Sequence, residues 1–165
     1  MANHLILHTG TNLGNREDNL LKANDLIEKR IGAISKYSSL YETEPWGVEE
    51  QPAFINQAIE LTTELSPEEI LNAAHRIEEE MGRIRVKKWE RRLIDIDIIF
   101  FGDQIIETER LHIPHKQIQH RNFVLIPLME IIPDFIHPVF NETIEELYEK
   151  STDTLEVYLL NFEAE

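Results

Sequence analysis

The chain contains no cysteine. That excludes disulfides, thiolate metal sites and a cysteine nucleophile. No apolar run approaches the ~20 residues needed to span a bilayer. The opening Met1-Ala2-Asn3-His4-Leu5-Ile6-Leu7-His8 has no basic stretch ahead of a long apolar one. No signal peptide is therefore expected, and a cytoplasmic location is. Glycine is sparse, with six residues. They form neither a Gly-x-x-x-x-Gly-Lys-[Ser/Thr] phosphate loop nor a Gly-x-Gly-x-x-Gly dinucleotide fingerprint. Positive charge is also in short supply: 16 Lys and Arg stand against 31 Asp and Glu, for a net −15. Such a surface repels nucleic acid and anionic membrane, so neither is an expected partner.

What is present reads as one globular domain over residues 1–165, expected to be monomeric. The apolar fraction is 42% and the charged fraction 28%, ordinary for a soluble fold. A chain of this size buries roughly 70% of its unfolded surface, enough for a core. The charge is uneven. Residues 83–121 hold nine Lys and Arg and six Asp and Glu, leaving +3 there and −18 elsewhere. A basic island in an acidic protein suggests an anion site, although scattered charges on a solvated loop would look the same.

Residues 5–9 read as a strand, followed by a Gly/Asn-rich turn over 10–15. Residues 17–30 carry Leu20, Leu21, Ala23, Leu26 and Ile27 at helical spacing, with Gly32 at the end. Strands are expected over 34–41 and 54–63, the second with Phe54, Asn56, Ala58 and Glu60 on one face. Ser66-Pro67-Glu68-Glu69 predicts a capped helix start running to Met81, with Gly82 as its stop. A strand follows over 93–101, and the remainder supplies an apolar segment (123–131), a short helix (141–150) and a final strand (155–160). The core order is βαββαβ. It predicts an α+β, ferredoxin-like fold with a largely antiparallel sheet and C-terminal helical and strand additions.

Within residues 93–101, alternation sets Ile94, Ile96, Ile98 and Phe100 toward a core, and Asp95 and Asp97 side by side on the other face. Adjacent carboxylates repel unless a cation or proton lies between them. A hard divalent ion such as Mg²⁺ resolves this, because it takes one or two carboxylates and completes its shell with water and phosphate oxygens. An Asp-x-Asp alone also fits an ordinary solvent-facing strand. Arg83, Arg85, Arg91 and Arg92 directly precede this strand, and guanidinium groups beside metal-holding carboxylates suit a polyphosphate. Trp89 either stacks on a base or plugs a loop. His4 and His8 read as sheet-surface residues and His75 as an exposed helical one. No zinc-type histidine spacing occurs.

Five segments, in order, resemble the 6-hydroxymethyl-7,8-dihydropterin pyrophosphokinase family. They are Gly10-Thr11-Asn12-Leu13-Gly14; Thr43-Glu44-Pro45-Trp46-Gly47 with Gln51-Pro52, Phe54 and Asn56; Arg83, Arg85, Trp89, Arg92 and Asp95-Ile96-Asp97-Ile98; Arg110-Leu111 with Ile113-Pro114-His115; and Arg121 with Phe123 and Pro127. The resemblance implies transfer of a pyrophosphoryl group from ATP to the pterin hydroxymethyl oxygen, releasing AMP, in folate biosynthesis. It implies two Mg²⁺ ions held by Asp95 and Asp97. It implies a pterin site of Thr43, Pro45, Trp46, Phe54, Asn56 and Phe123, with the two Phe rings enclosing the flat pterin. It implies an ATP site of Glu78, Arg83, Arg85, Trp89, Arg92, Ile98, Arg110, His112, His115 and Arg121. Arg83 and Arg92 would meet transition-state charge, and Arg121 would anchor phosphate. No committed general base stands out; Asp97 is a candidate proton acceptor.

The chain departs from the family pattern in places. Many members carry Trp-Gly-Pro-Arg where this chain has Trp89-Glu90-Arg91-Arg92. His75 replaces a Gln of some relatives, and Lys116 an aromatic residue. Three other readings stay open on the sequence: a nucleotide-binding regulatory domain without turnover, an interaction module with an acidic face, and a two-metal phosphohydrolase.

Overall fold

Strand β1 (Asn3–Thr11) lies at the centre of the molecule because it is apolar on both faces. Leu5 and Leu7 on one face and Ile6 on the other have no exposed surface. In this computed structural model β1 pairs antiparallel with β4 (Phe54–Thr63) on one side and β5 (Asp95–Phe101) on the other. The described residues are 2–44, 53–82 and 93–160. Six residues assigned to the site by resemblance lie outside them: Pro45, Trp46, Arg83, Arg85, Trp89 and Arg92. So do Glu90 and Arg91.

The expected βαββαβ order is present. Helix α1 (Arg16–Arg30) follows β1, and Asn15 caps it by accepting the Asp18 N–H. The expected single strand over 34–41 is two pieces, β2 (Ala33–Tyr37) and β3 (Tyr41–Thr43), both antiparallel to β4. The interruption has an identifiable cause. The Ser38 hydroxyl accepts the Ala58 N–H at 2.9 Å and donates to the Ser39 carbonyl at 2.7 Å, so side-chain bonds replace part of the ladder. Helix α2 (Pro67–Met81) begins at the expected capping box of Ser66 and Glu69 and ends at Gly82. Gly32 has no room for a side chain, since a Cβ there would stand 1.9 Å from the Thr62 carbonyl oxygen.

The six-stranded sheet runs β5-β1-β4-β3-β8, with β2 also on β4 and β8 (Val157–Leu159) closing the edge. Helices α1 and α2 cover one face, burying Leu20, Ile27, Ile70, Ala74 and Ile77 against Leu5, Leu7, Ile59, Leu61 and Ile96. A small hairpin, β6 (Ile106–Glu107) and β7 (His112–Ile113), follows β5. Helix α3 (Asn122–Ile131) and helix α4 (Ile144–Lys150) then cover part of the other face with Val124, Leu125, Leu128, Ile144 and Leu147. Among the described residues no helix is long and apolar enough to cross a membrane.

The alternation expected along β5 breaks at one point. Ile98 pairs with Leu7, but Phe100 pairs with Ile6, so Ile99 is an extra residue in the ladder. Such a bulge sets two residues of one strand opposite one of its partner and resets the alternation. Ile94, Ile96 and Ile98 keep their expected core face. Phe100 does not: it packs with Ile6, Ile99 and α3 on the opposite face, beyond the two aspartates.

Beyond α3, the His137 ring is buried, stacks on Phe140 and meets Phe100 edge-on. Its Nδ1 accepts the Val139 and Phe140 N–H groups at 3.1 and 3.3 Å, which requires the unprotonated nitrogen. Burial lowers its pKa from 6.5 to about 4. The unfolded chain therefore takes up a proton near pH 6.5 that the folded chain refuses until about pH 4. Stability from this group is present above pH 6.5 and lost as pH falls toward 4, by roughly 3 kcal/mol. Urea unfolding from pH 7 to 4 is expected to show this slope in the wild type and a shallower one in His137→Asn.

Candidate active site

The site occupies the part of the second sheet face that α3 and α4 leave uncovered. The register sets Gly10 opposite Asn56 and Asp95, and His8 opposite Ala58 and Asp97. Because β1, β4 and β5 are adjacent, period-two alternation brings His8, Gly10, Asn56, Asp95 and Asp97 to one surface. These five line a cavity of about 250 Å³ together with Thr43, Phe54, Phe123, Arg121, Glu44 and Leu155. Glycine at position 10 keeps that surface open, since a Cβ there would lie 2.6 Å from the Asn56 Oδ1. Asn56 is buried, and its amide donates to the Thr43 hydroxyl at 3.3 Å. Two phenyl rings, the paired aspartates and one fixed amide thus face a single space.

A second cavity, also about 250 Å³, lies along the outer edge of β5. It is lined by Glu78 and His75 of α2, by Asp97 and Ile98 of β5, and by Arg110, His112, His115 and Lys116. Here β5 is an edge strand, so its outward backbone groups need partners. Glu78 supplies one: its buried carboxylate accepts the Ile96 N–H at 2.8 Å. The His115 N–H supplies another, donating to the Ile99 carbonyl at 3.1 Å. Arg110 donates to Glu68 at 2.9 Å and to Asn72 at 3.0 Å.

Asp97 lines both cavities. Imidazoles flank it, His8 on one side and His115 on the other. Burial lowers both their pKa values below the ordinary 6.5, and the nearby Asp97 carboxylate offsets this only in part. His115 Nδ1 is buried with no hydrogen-bond partner among the described residues. Among those residues no group of three or more His, Asp and Glu is gathered that could hold a metal ion. Two carboxylates alone still fit Mg²⁺, which keeps several waters and substrate oxygens rather than filling an all-protein cage.

Most of the described residues singled out in the sequence fall into two groups. Thr43, Phe54, Asn56 and Phe123 share the first cavity; Glu78, Ile98, Arg110, His112 and His115 share the second. Arg121 lines the first cavity, not the second, with its guanidinium carbon 6.0 Å from the centre of the Phe123 ring. His8 corrects the sequence reading: it is buried at 3% exposure within the site, because α3 folds over this face. A lone imidazole in an apolar strand, two residues before Gly10, was the available signal. Leu155 gave none, since only the return of the C-terminal segment beside β3 brings it in.

Residues 6–133 match the family described as 7,8-dihydro-6-hydroxymethylpterin-pyrophosphokinase (HPPK). The chain is 38% identical over 146 residues to the 2-amino-4-hydroxy-6-hydroxymethyldihydropteridine pyrophosphokinase of Aquifex aeolicus strain VF5, across 88% of this chain and 91% of that protein. It is 42% identical over 132 residues to the Bacillus subtilis strain 168 protein of the same name, across 79% of each. The solved structure of wild-type Plasmodium falciparum HPPK-DHPS with pteroate matches with a TM-score of 0.75 at 23% identity, over 91% of this chain and 42% of that one. At that identity the structural likeness speaks for the fold, while the sequence matches carry the family. The chain belongs to the 7,8-dihydro-6-hydroxymethylpterin-pyrophosphokinase family.

Proposed function

We infer that this chain transfers the terminal pyrophosphoryl group of ATP to the hydroxymethyl oxygen of 6-hydroxymethyl-7,8-dihydropterin, giving AMP and the pterin diphosphate in folate biosynthesis. The observation that supports the assignment of roles is the position of Asp97, shared by an aromatic-walled cavity and a His- and Arg-lined one. A reaction joining a flat heterocycle to a polyphosphate needs two such compartments meeting at the reacting atoms.

Phe54 and Phe123 enclose the pterin ring, a geometry that suits a flat π-system. Asn56, oriented by Thr43, reads the ring's polar edge, and the resemblance adds Pro45 and Trp46 to the pterin-binding residues. Glu78, Ile98, Arg110, His112 and His115 form the ATP side, joined by Arg85 and Trp89. Arg121, on the pterin side near the aspartates, anchors phosphate where the compartments meet. The pterin oxygen attacks the β-phosphorus, the bond from that phosphorus to the α–β bridging oxygen breaks, and AMP leaves. Arg83 and Arg92 meet the charge that develops on the transferred group. Asp97 is the carboxylate available to accept the hydroxyl proton. Asp95 and Asp97 would hold two Mg²⁺ ions, which when bound neutralise the polyphosphate and lower the pKa of the attacking hydroxyl.

Incubation with ATP, Mg²⁺ and the pterin is expected to yield AMP and pterin diphosphate in equal amounts, resolved by chromatography. ADP, or phosphate released without pterin, would contradict the reading. Asp97 is exposed, so Asp97→Ala is expected to keep the wild-type Tm. Its kcat should fall by about two or more powers of ten, the scale of a lost metal carboxylate. Near-wild-type turnover in that variant would sink the metal assignment.

A further inference from the structure

Helix α3 contains Pro127 in its interior. In an α-helix the carbonyl of Phe123 accepts its hydrogen bond from the N–H four residues on. Residue 127 has no N–H, and its ring crowds that same carbonyl. The lost bond falls in the first turn, at the residue whose side chain lines the first cavity. A partly buried carbonyl left without its donor is costly and leaves the turn poorly fixed.

The structure fills this gap from another element. His8 of β1 stands beneath α3 with its Nε2 3.1 Å from the Phe123 carbonyl oxygen. A carbonyl only accepts, so Nε2 carries the proton in this contact. The imidazole also meets the Phe123 ring at an angle of 61°, with centroids 5.8 Å apart. His8 is itself almost wholly buried, and β1 is paired on both sides, so the donor sits on an interior strand of the sheet.

We propose that His8 is a positioning residue that replaces the hydrogen bond Pro127 removes and so fixes Phe123 as a wall of the pterin cavity. This rests on the reading that Phe123 stacks on the pterin. His8 need not touch the reacting atoms. Its main effect reaches the substrate through that carbonyl and that ring, so it governs pterin affinity more than ATP affinity.

The test is a double-mutant cycle on the full chain. Pterin affinity is read by fluorescence titration with Mg²⁺ and a non-hydrolysable ATP analogue present, and KM and kcat are measured alongside. His8→Phe keeps a ring but removes the donor; it is expected to weaken pterin binding roughly three- to tenfold, the scale of one hydrogen bond. KM for the pterin should rise more than KM for ATP. His8→Gln, which restores an N–H at similar reach, should recover most of the loss. Pro127→Ala returns a backbone donor to Phe123, so in that background His8→Phe should cost less than twofold. Circular dichroism and Tm confirm that each variant folds; should His8→Phe not fold, His8→Gln against His8→Leu replaces it. Wild-type pterin affinity in His8→Phe would overturn the proposal, as would an undiminished loss in the Pro127→Ala background. A wild-type chain that makes no AMP from ATP and pterin would instead overturn the functional reading beneath it.

Discussion

Two carboxylates two residues apart on one strand must share one face of a sheet, and the active face is arranged around that constraint. Asp95 and Asp97 lie on β5, whose register with β1 is fixed by apolar residues buried on the sheet's other side. A slip of one residue would send both carboxylates into the core under α1 and α2. Hydrophobic burial therefore holds the acidic pair in place. Beyond Asp97 the bulge at Ile99 turns Phe100 onto the same face. That face is thus divided: an apolar half covered by α3 and α4, and a polar half left open as a cavity.

The edge position of β5 explains the second compartment. An edge strand offers unpaired backbone groups, and here Glu78 and His115 satisfy two of them. The same contacts bring both side chains beside Asp97. Glu78 reaches Ile96 because α2 starts where it does, at the capping box of Ser66 and Glu69. A local capping motif and a long-range packing contact thus jointly set one wall of the second cavity. Fixing the fold and building the site are one task for these residues.

Much of this arrangement was legible in the sequence, for identifiable reasons. The capping box of α2, the helical spacing of α1 and the alternation around Asp95 and Asp97 are local signals, and the structure follows them. Phe54, Asn56 and Phe123 were grouped by resemblance, and they do share a cavity. The features that escaped depend on distant partners. The bulge at Ile99 exists only in the pairing of β5 with β1. The break after Tyr37 is set by Ser38 against Ala58 of another strand. His8 looked like a surface residue because nothing local shows that α3 folds over it. The basic segment 83–92, the strongest compositional signal in the chain, lies outside the described residues.

The central claim is that Asp95 and Asp97 together form the metal platform shared by the two substrates. Counting bound Mn²⁺ by electron paramagnetic resonance, with a non-hydrolysable ATP analogue and the pterin present, tests it most directly. The account predicts two tightly bound ions per wild-type chain, and loss of at least one in both Asp95→Asn and Asp97→Asn. Retention of two ions at unchanged affinity in either variant would contradict it.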